Sequence, residues 1–168
     1  MLGFHENFPS SIQYVTSFSS VLSSKQLQEK IINVCCEVNR KEFSFEEVTN
    51  PTIPKGTVIF EFGIANASGF NYIDEEEVKK TLNLLAKDQL QTLDFFCAIR
   101  YYKGEQKKKT ALKFDYYLIR TVYNKNVVEM QVHHERGPRY IAPEDLTLFI
   151  FDKINNATKR KLLKRITF

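Results

Sequence analysis

The sequence predicts an α+β protein: a mostly antiparallel sheet of about four to five strands, with helices packed on one face. Three observations carry that expectation. Two stretches place apolar residues at helical spacing behind capping signals. Four others are strand-like in length and composition. The last three of those strands follow one another through hairpin-length connections, which puts a three-strand meander at the centre of the sheet.

The first helix is expected from about Lys25 to Asn39. Leu27, Ile31, Val34, Cys35 and Val38 fall on one face, and Ser23 with Gln26 has the spacing of a capping box. The second should run from about Glu75 to Lys87, with Asp74 as N-cap, acidic residues in the first turn and a stripe of Val78, Leu82, Leu85 and Ala86. Between them, Val58, Phe60, Phe62 and Ile64 alternate as one face of a strand. The meander then occupies about Leu93–Tyr102, Ala111–Tyr123 and Val127–Arg136. Reading Asn124-Lys125-Asn126 as a three-residue loop pairs Tyr123 with Val127. One face then collects Leu112, Phe114, Tyr116, Leu118, Val122, Val128, Met130, Val132 and His134, with Arg120 as its exception. Leu146–Ile154 fits either a helix or a strand, and the first-turn signal Pro143-Glu144-Asp145 favours a helix. Pro9–Leu22 is ambiguous: Ile12, Val15, Phe18 and Leu22 have helical spacing, but Ser and Thr are poor helix formers.

The 168 residues read as one domain, with a basic helical segment at about 156–168. A domain of that size buries roughly 70% of the surface its unfolded chain exposes. No stretch has the ~20 apolar residues of a membrane span, and the first residues lack a basic-then-apolar leader, so an intracellular setting, cytoplasmic or nuclear, is expected without a membrane partner. Cys35, Cys36 and Cys97 are odd in number and have no ligand spacing, which points to reduced thiols rather than a disulfide framework or zinc site. No cofactor or metal is expected. The six glycines are too scattered for a phosphate loop, and no serine-centred nucleophile elbow is present.

Charge is unevenly placed. The formal net charge is +4, yet Lys159, Arg160, Lys161, Lys164 and Arg165 supply +5 with no acid after Asp152; the remainder holds 19 basic and 20 acidic residues. Lys107, Lys108 and Lys109 form a basic loop at one sheet end, with Arg100 and Lys103 on the adjoining strand and Arg136 and Arg139 following the last one. Clustered cations bind phosphate backbone by releasing its counterions, and exposed tyrosines such as Tyr102, Tyr117, Tyr123 and Tyr140 can stack on bases.

The leading expectation is therefore a non-catalytic binding subunit of a larger assembly that contacts nucleic acid, DNA or RNA, through these residues. The alternative is a protein-interaction, scaffolding or dimerisation domain. Its contact would be an apolar-aromatic patch of Phe96, Tyr102, Ile119 and Tyr123 on the second sheet face. A third reading is a small enzyme. His133 and Glu135 share a strand face, and Asp115 and Tyr117 are expected opposite them. A solvated face with cross-strand pairs accounts for the same residues and is the favoured reading. Cys97, inside an apolar strand, reads as a core thiol.

Overall fold

A computed structural model describes residues 2–49, 56–67, 69–103, 113–157 and 162–166. Eight strands and three α-helices follow one another along these residues: β1 (Tyr14–Ser20), α1 (Ser24–Val38), β2 (Glu42–Ser44), β3 (Gly56–Asn66), β4 (Gly69–Tyr72), α2 (Glu75–Lys87), β5 (Thr92–Lys103), β6 (Lys113–Asn124), β7 (Val127–Arg136), α3 (Pro143–Ala157) and β8 (Leu163–Arg165). All eight strands join one antiparallel sheet in the order β2-β3-β5-β6-β7-β1-β8, with β4 pairing the far part of β3. The α+β class holds, with more strands than the sequence suggests.

The helices cover one face. Val58, Phe60, Phe62 and Ile64 of β3, then Leu93, Phe95, Cys97, Ile99 and Tyr101 of β5, point into that interface and are buried. Phe149 of α3 stacks on Phe60 at 5.1 Å between ring centroids, and Phe151 lies on Phe18 of β1 at 3.8 Å. Ser23 caps α1 through the expected capping box with Gln26, satisfying amides that the first turn leaves free. At the other end Asn39 clamps α1 to the sheet. Its side-chain carbonyl accepts from Phe62 N (2.6 Å), and its amide donates to the Phe62 and Ile73 carbonyls. Helix α2 begins at Asp74, whose carboxylate accepts from Glu77 N, and packs on α1.

Two expectations are corrected and one ambiguity is resolved. The Pro9–Leu22 stretch, ambiguous in sequence, contains strand β1. Thr16, Phe18 and Ser20 alternate inward, and the β-branched and small residues that weaken a helix suit this pleat. The C-terminal segment, expected as a helix over 156–168, contains β8, because Asn155 captures the chain as it leaves α3. Its side-chain oxygen accepts from both Leu162 N and Leu163 N, and β8 then pairs the open edge of β1 with Leu163 buried.

The second correction is the register of the β6–β7 hairpin. The connection is a two-residue turn, Lys125-Asn126, with Asn126 in the left-handed region (φ 62°), so Asn124 and not Tyr123 faces Val127. That one-residue difference moves every β6 side chain to the opposite face. Asp115, Tyr117, Ile119, Thr121 and Tyr123 therefore join Val128, Met130, Val132 and His134 under the helices. Burying the polar members is tolerable because each is hydrogen-bonded. Thr121 Oγ1 lies 2.9 Å from the Leu93 carbonyl and 2.8 Å from the Tyr123 hydroxyl, and Tyr117 donates to the Ile141 carbonyl. Phe114, Tyr116, Leu118, Arg120 and Val122 occupy the outer face instead.

Candidate functional site

The outer face of the sheet is partly covered by the residues ahead of β1. Gly3 lies between β3 and β5, with its N–H on the Ala65 carbonyl (2.7 Å) and its carbonyl accepting from Asp94 N (2.6 Å). Its φ is +84°, and an added Cβ would come within 2.7 Å of Leu93 Cδ2, which explains glycine here. The chain then passes over Arg120. That guanidinium makes two 2.8 Å bonds to the fully buried Asp94 carboxylate, donates to the His5 carbonyl, and sits 5.0 and 4.4 Å from the Phe4 and Phe8 ring centroids. His5 N also donates to Asp94 (2.8 Å). A buried carboxylate is stable only when paired and hydrogen-bonded, and Asp94 meets both conditions. Further along, Ser11 contacts His133 and Gln13 accepts from His134 N, which leads the chain into β1.

Towards the end of β5 and the start of β6 the outer face carries a row of rings, which the strap meets at Phe70, 5.1 Å from the His5 ring. Phe70 of β4 lies 5.5 Å from Phe96 of β5, Phe96 lies 5.7 Å from Tyr116 of β6, and Tyr116 lies 6.5 Å from Phe114 with planes 5° apart. Phe70, Phe96 and Tyr116 are half-buried and Phe114 is 41% exposed. Arg136 stands opposite Tyr116 and Arg100 opposite Phe114; Arg100 is ion-paired with Glu61.

The inner face holds a different cluster at the same end. Asp115, with no exposed surface, accepts four hydrogen bonds: from the Tyr101 hydroxyl (2.6 Å), His134 Nε2 (2.8 Å), Arg139 N (2.7 Å) and Tyr140 N (3.0 Å). Gly137 (φ +113°) lets the chain fold this tightly over it. A Cβ at that position would run into the Phe114 carbonyl and the Asp115 carboxylate. Burial together with the nearby Asp115 charge raises the hydroxyl pKa of both Tyr101 and Tyr117 far above the usual tyrosine value. A carboxylate saturated by four donors anchors the 137–142 segment to the sheet.

These placements sort the sequence-derived candidates. Lys107, Lys108, Lys109, Lys159, Arg160 and Lys161 lie outside the described residues. Arg136 and Arg139 are exposed at the end of β7, alongside Lys103 and Lys113 at the adjoining ends of β5 and β6. Lys164 and Arg165 are not with them. Lys164 pairs with Ser19, which pairs with Val127 at the opposite end of β7, roughly 30 Å away at ~3.3 Å per residue. Arg165 is bonded to Glu144 and the Tyr14 hydroxyl.

The expected interface patch also divides. Phe96 and Tyr102 are on the outer face, Phe96 half-buried and Tyr102 only 9% exposed; Ile119 and Tyr123 are 1% and 4% exposed beneath the helices, where the hairpin register puts them out of any partner's reach. The same register separates the enzyme candidates. His133 and Glu135 bond to each other on the outer side (2.9 Å), with Asp115 and Tyr117 on the inner side.

Cys35, Cys36 and Cys97 are free and buried, and loss of hydration pushes all three thiols above their usual value. Among the described residues, no group of three or more His, Cys, Asp or Glu is placed to hold a metal ion, and no helix is long and apolar enough to cross a membrane. Two open clefts of about 680 and 800 Å³ flank the segment 88–91, and neither is lined by His or Cys.

Sequence reading missed the ring row because it assigned Phe114 and Tyr116 to the core. The available signal was that β6 is apolar on both faces. The chain matches no protein-family model, no curated protein and no solved structure.

Proposed function

We propose that this chain is a non-catalytic subunit of a larger assembly that contacts nucleic-acid backbone through the basic end of its sheet. One observation carries the reading: the end of β5, the start of β6 and the end of β7 meet at one place. They bring Lys103, Lys113, Arg136 and Arg139 to one end of the sheet, and Lys107, Lys108 and Lys109 fall between β5 and β6 in sequence. Glu135, the acid beside them on β7, is bonded to His133. Cations grouped in this way gain by displacing the counterions condensed on phosphates. Lys164 and Arg165, with Lys159, Arg160 and Lys161 before them in sequence, form a separate basic segment that a longer strand would reach. Three free, buried thiols suit an intracellular setting.

Binding of labelled DNA and RNA oligonucleotides, titrated against salt, tests this reading. Replacing Lys107, Lys108, Lys109 and Arg136 with Ala should weaken binding uniformly across sequences. It should also lower the salt slope by about 0.7–0.9 for each phosphate that is no longer neutralised. No measurable binding at low salt refutes the proposal. Exposed Phe114 (41%) and Val15 (52%) favour a second reading, a protein partner or a second copy docking on the sheet. Sedimentation of the chain over a range of concentrations tests self-association.

A further inference from the structure

The geometry points to the outer-face row Phe96–Tyr116–Phe114 as a stacking platform for the bases of single-stranded nucleic acid, with Arg136 placed to hold the phosphate beside Tyr116. The inference rests on the nucleic-acid reading above and adds which form of nucleic acid is bound and by what surface.

Three features carry it. The rings stand on the sheet face away from the helices, Phe114 exposed and Phe96 and Tyr116 half-buried. The strap ahead of β1 is held at Asp94 and Arg120 and again at His133 and His134, and it leaves Phe114 exposed. Their spacing fits a strand whose bases are drawn apart. Neighbouring centroids are 5.7 and 6.5 Å apart, nearly twice the ~3.4 Å rise of a stacked duplex strand. Successive bases of an extended strand can therefore meet successive rings, whereas a duplex keeps its base faces occupied.

Charge is the third feature. Arg136 stands directly across from Tyr116 on the same face, is exposed, and has no ion-pair partner among the described residues. Its neighbours Lys113 and Arg139 are exposed at the same end. Every base has a π-face, so such a platform is tolerant of sequence and works with, not instead of, backbone cations.

The experiment uses the full chain and fluorescein-labelled 12-mers of oligo(dT) and oligo(U), read by anisotropy, with an unlabelled 12-base-pair duplex as competitor. Phe114→Ala and Tyr116→Ala should each weaken single-strand binding by on the order of 10- to 100-fold while leaving the salt slope unchanged. Tyr116→Phe should bind like the wild type. Phe114→Leu keeps apolar cover but removes the ring; it should bind as weakly as Phe114→Ala and serves in its place if that variant does not fold.

The inference is overturned, and the basic-end reading survives, if the wild type binds but the ring variants bind equally well, or if duplex outcompetes single strand. If instead Phe114→Ala dissociates a wild-type dimer and leaves oligonucleotide binding untouched, the face is a protein contact. Absence of all binding at low salt removes both proposals together.

Discussion

Replacing Asp115 with Ala is expected to be among the most damaging single changes in this chain. The carboxylate has no exposed surface and accepts from four donors: two side chains, Tyr101 and His134, and two backbone amides, Arg139 N and Tyr140 N. Each buried donor left without an acceptor costs about 1–3 kcal/mol. The Tyr101 hydroxyl lies in the core and cannot reach water without disrupting it. The two amides belong to a loop that can lift away and be hydrated, so they do not contribute in full. We expect about 3–5 kcal/mol of lost stability, a large share of the 5–15 kcal/mol typical of a domain. Asp115→Asn keeps the shape and one acceptor oxygen but turns an N–H₂ towards donors, and should cost about 2–3 kcal/mol. Urea denaturation followed by far-UV circular dichroism measures both. A loss below about 1 kcal/mol for Asp115→Ala would falsify the anchoring role assigned to it.

Other expectations follow from the same contacts. Arg120→Ala leaves the Asp94 carboxylate buried and uncompensated, so it should cost about 3–5 kcal/mol and expose residues 2–8 to proteolysis; an unchanged digestion pattern would show that the strap is not held this way. Gly137→Ala forces a Cβ into Phe114 and Asp115 at a φ that L-residues avoid. It should destabilise by at least ~3 kcal/mol, and a neutral midpoint in urea would contradict that geometry.

Stability should also fall in alkali. Tyr101, Tyr117, Tyr123, Cys35 and Cys97 have folded pKa values raised by burial above their ordinary 10.0 and 9.0, so the native state keeps protons that the unfolded chain releases. Their contribution is complete below about pH 9 and is lost above it, at up to ~1.4 kcal/mol per pH unit for each group. Thermal midpoints measured from pH 7 to 11 should hold and then drop; a flat profile would mean these groups ionise in place.

How far the sequence foretold this depends on whether a signal is local. Helix α2 and strand β7 fall at their expected bounds because each has an unambiguous period and local start or stop signals: Asp74 for one, Gly137-Pro138 for the other. The hairpin register was not recoverable in this way. Strand β6 is apolar on both faces, with Leu118 and Ile119 both buried, so alternation alone picks no side. Asp94 and Asp115 were the better clue, since a carboxylate in mid-strand is either solvated or fully partnered. Their partners, though, come from distant segments: Arg120 and residues 3–5 for one; Tyr101, His134 and residues 139–140 for the other. No window of sequence displays those meetings. The ring row was hidden for the same reason, because it unites β4, β5 and β6.

The position of β1 has a consequence for how the molecule comes to be. It is the first of the described strands, yet its neighbours are β7 and β8, the last two of them. During vectorial synthesis Tyr14–Ser20 must wait, unpaired, until β7, which begins at Val127, has been made. The meander β5–β6–β7 closes through nearer contacts and is the natural seed. A nascent or truncated chain therefore presents β1 as a loose, partly apolar strand beside an unfilled sheet edge. That is the state most exposed to mispairing, and the one a chaperone would be expected to meet.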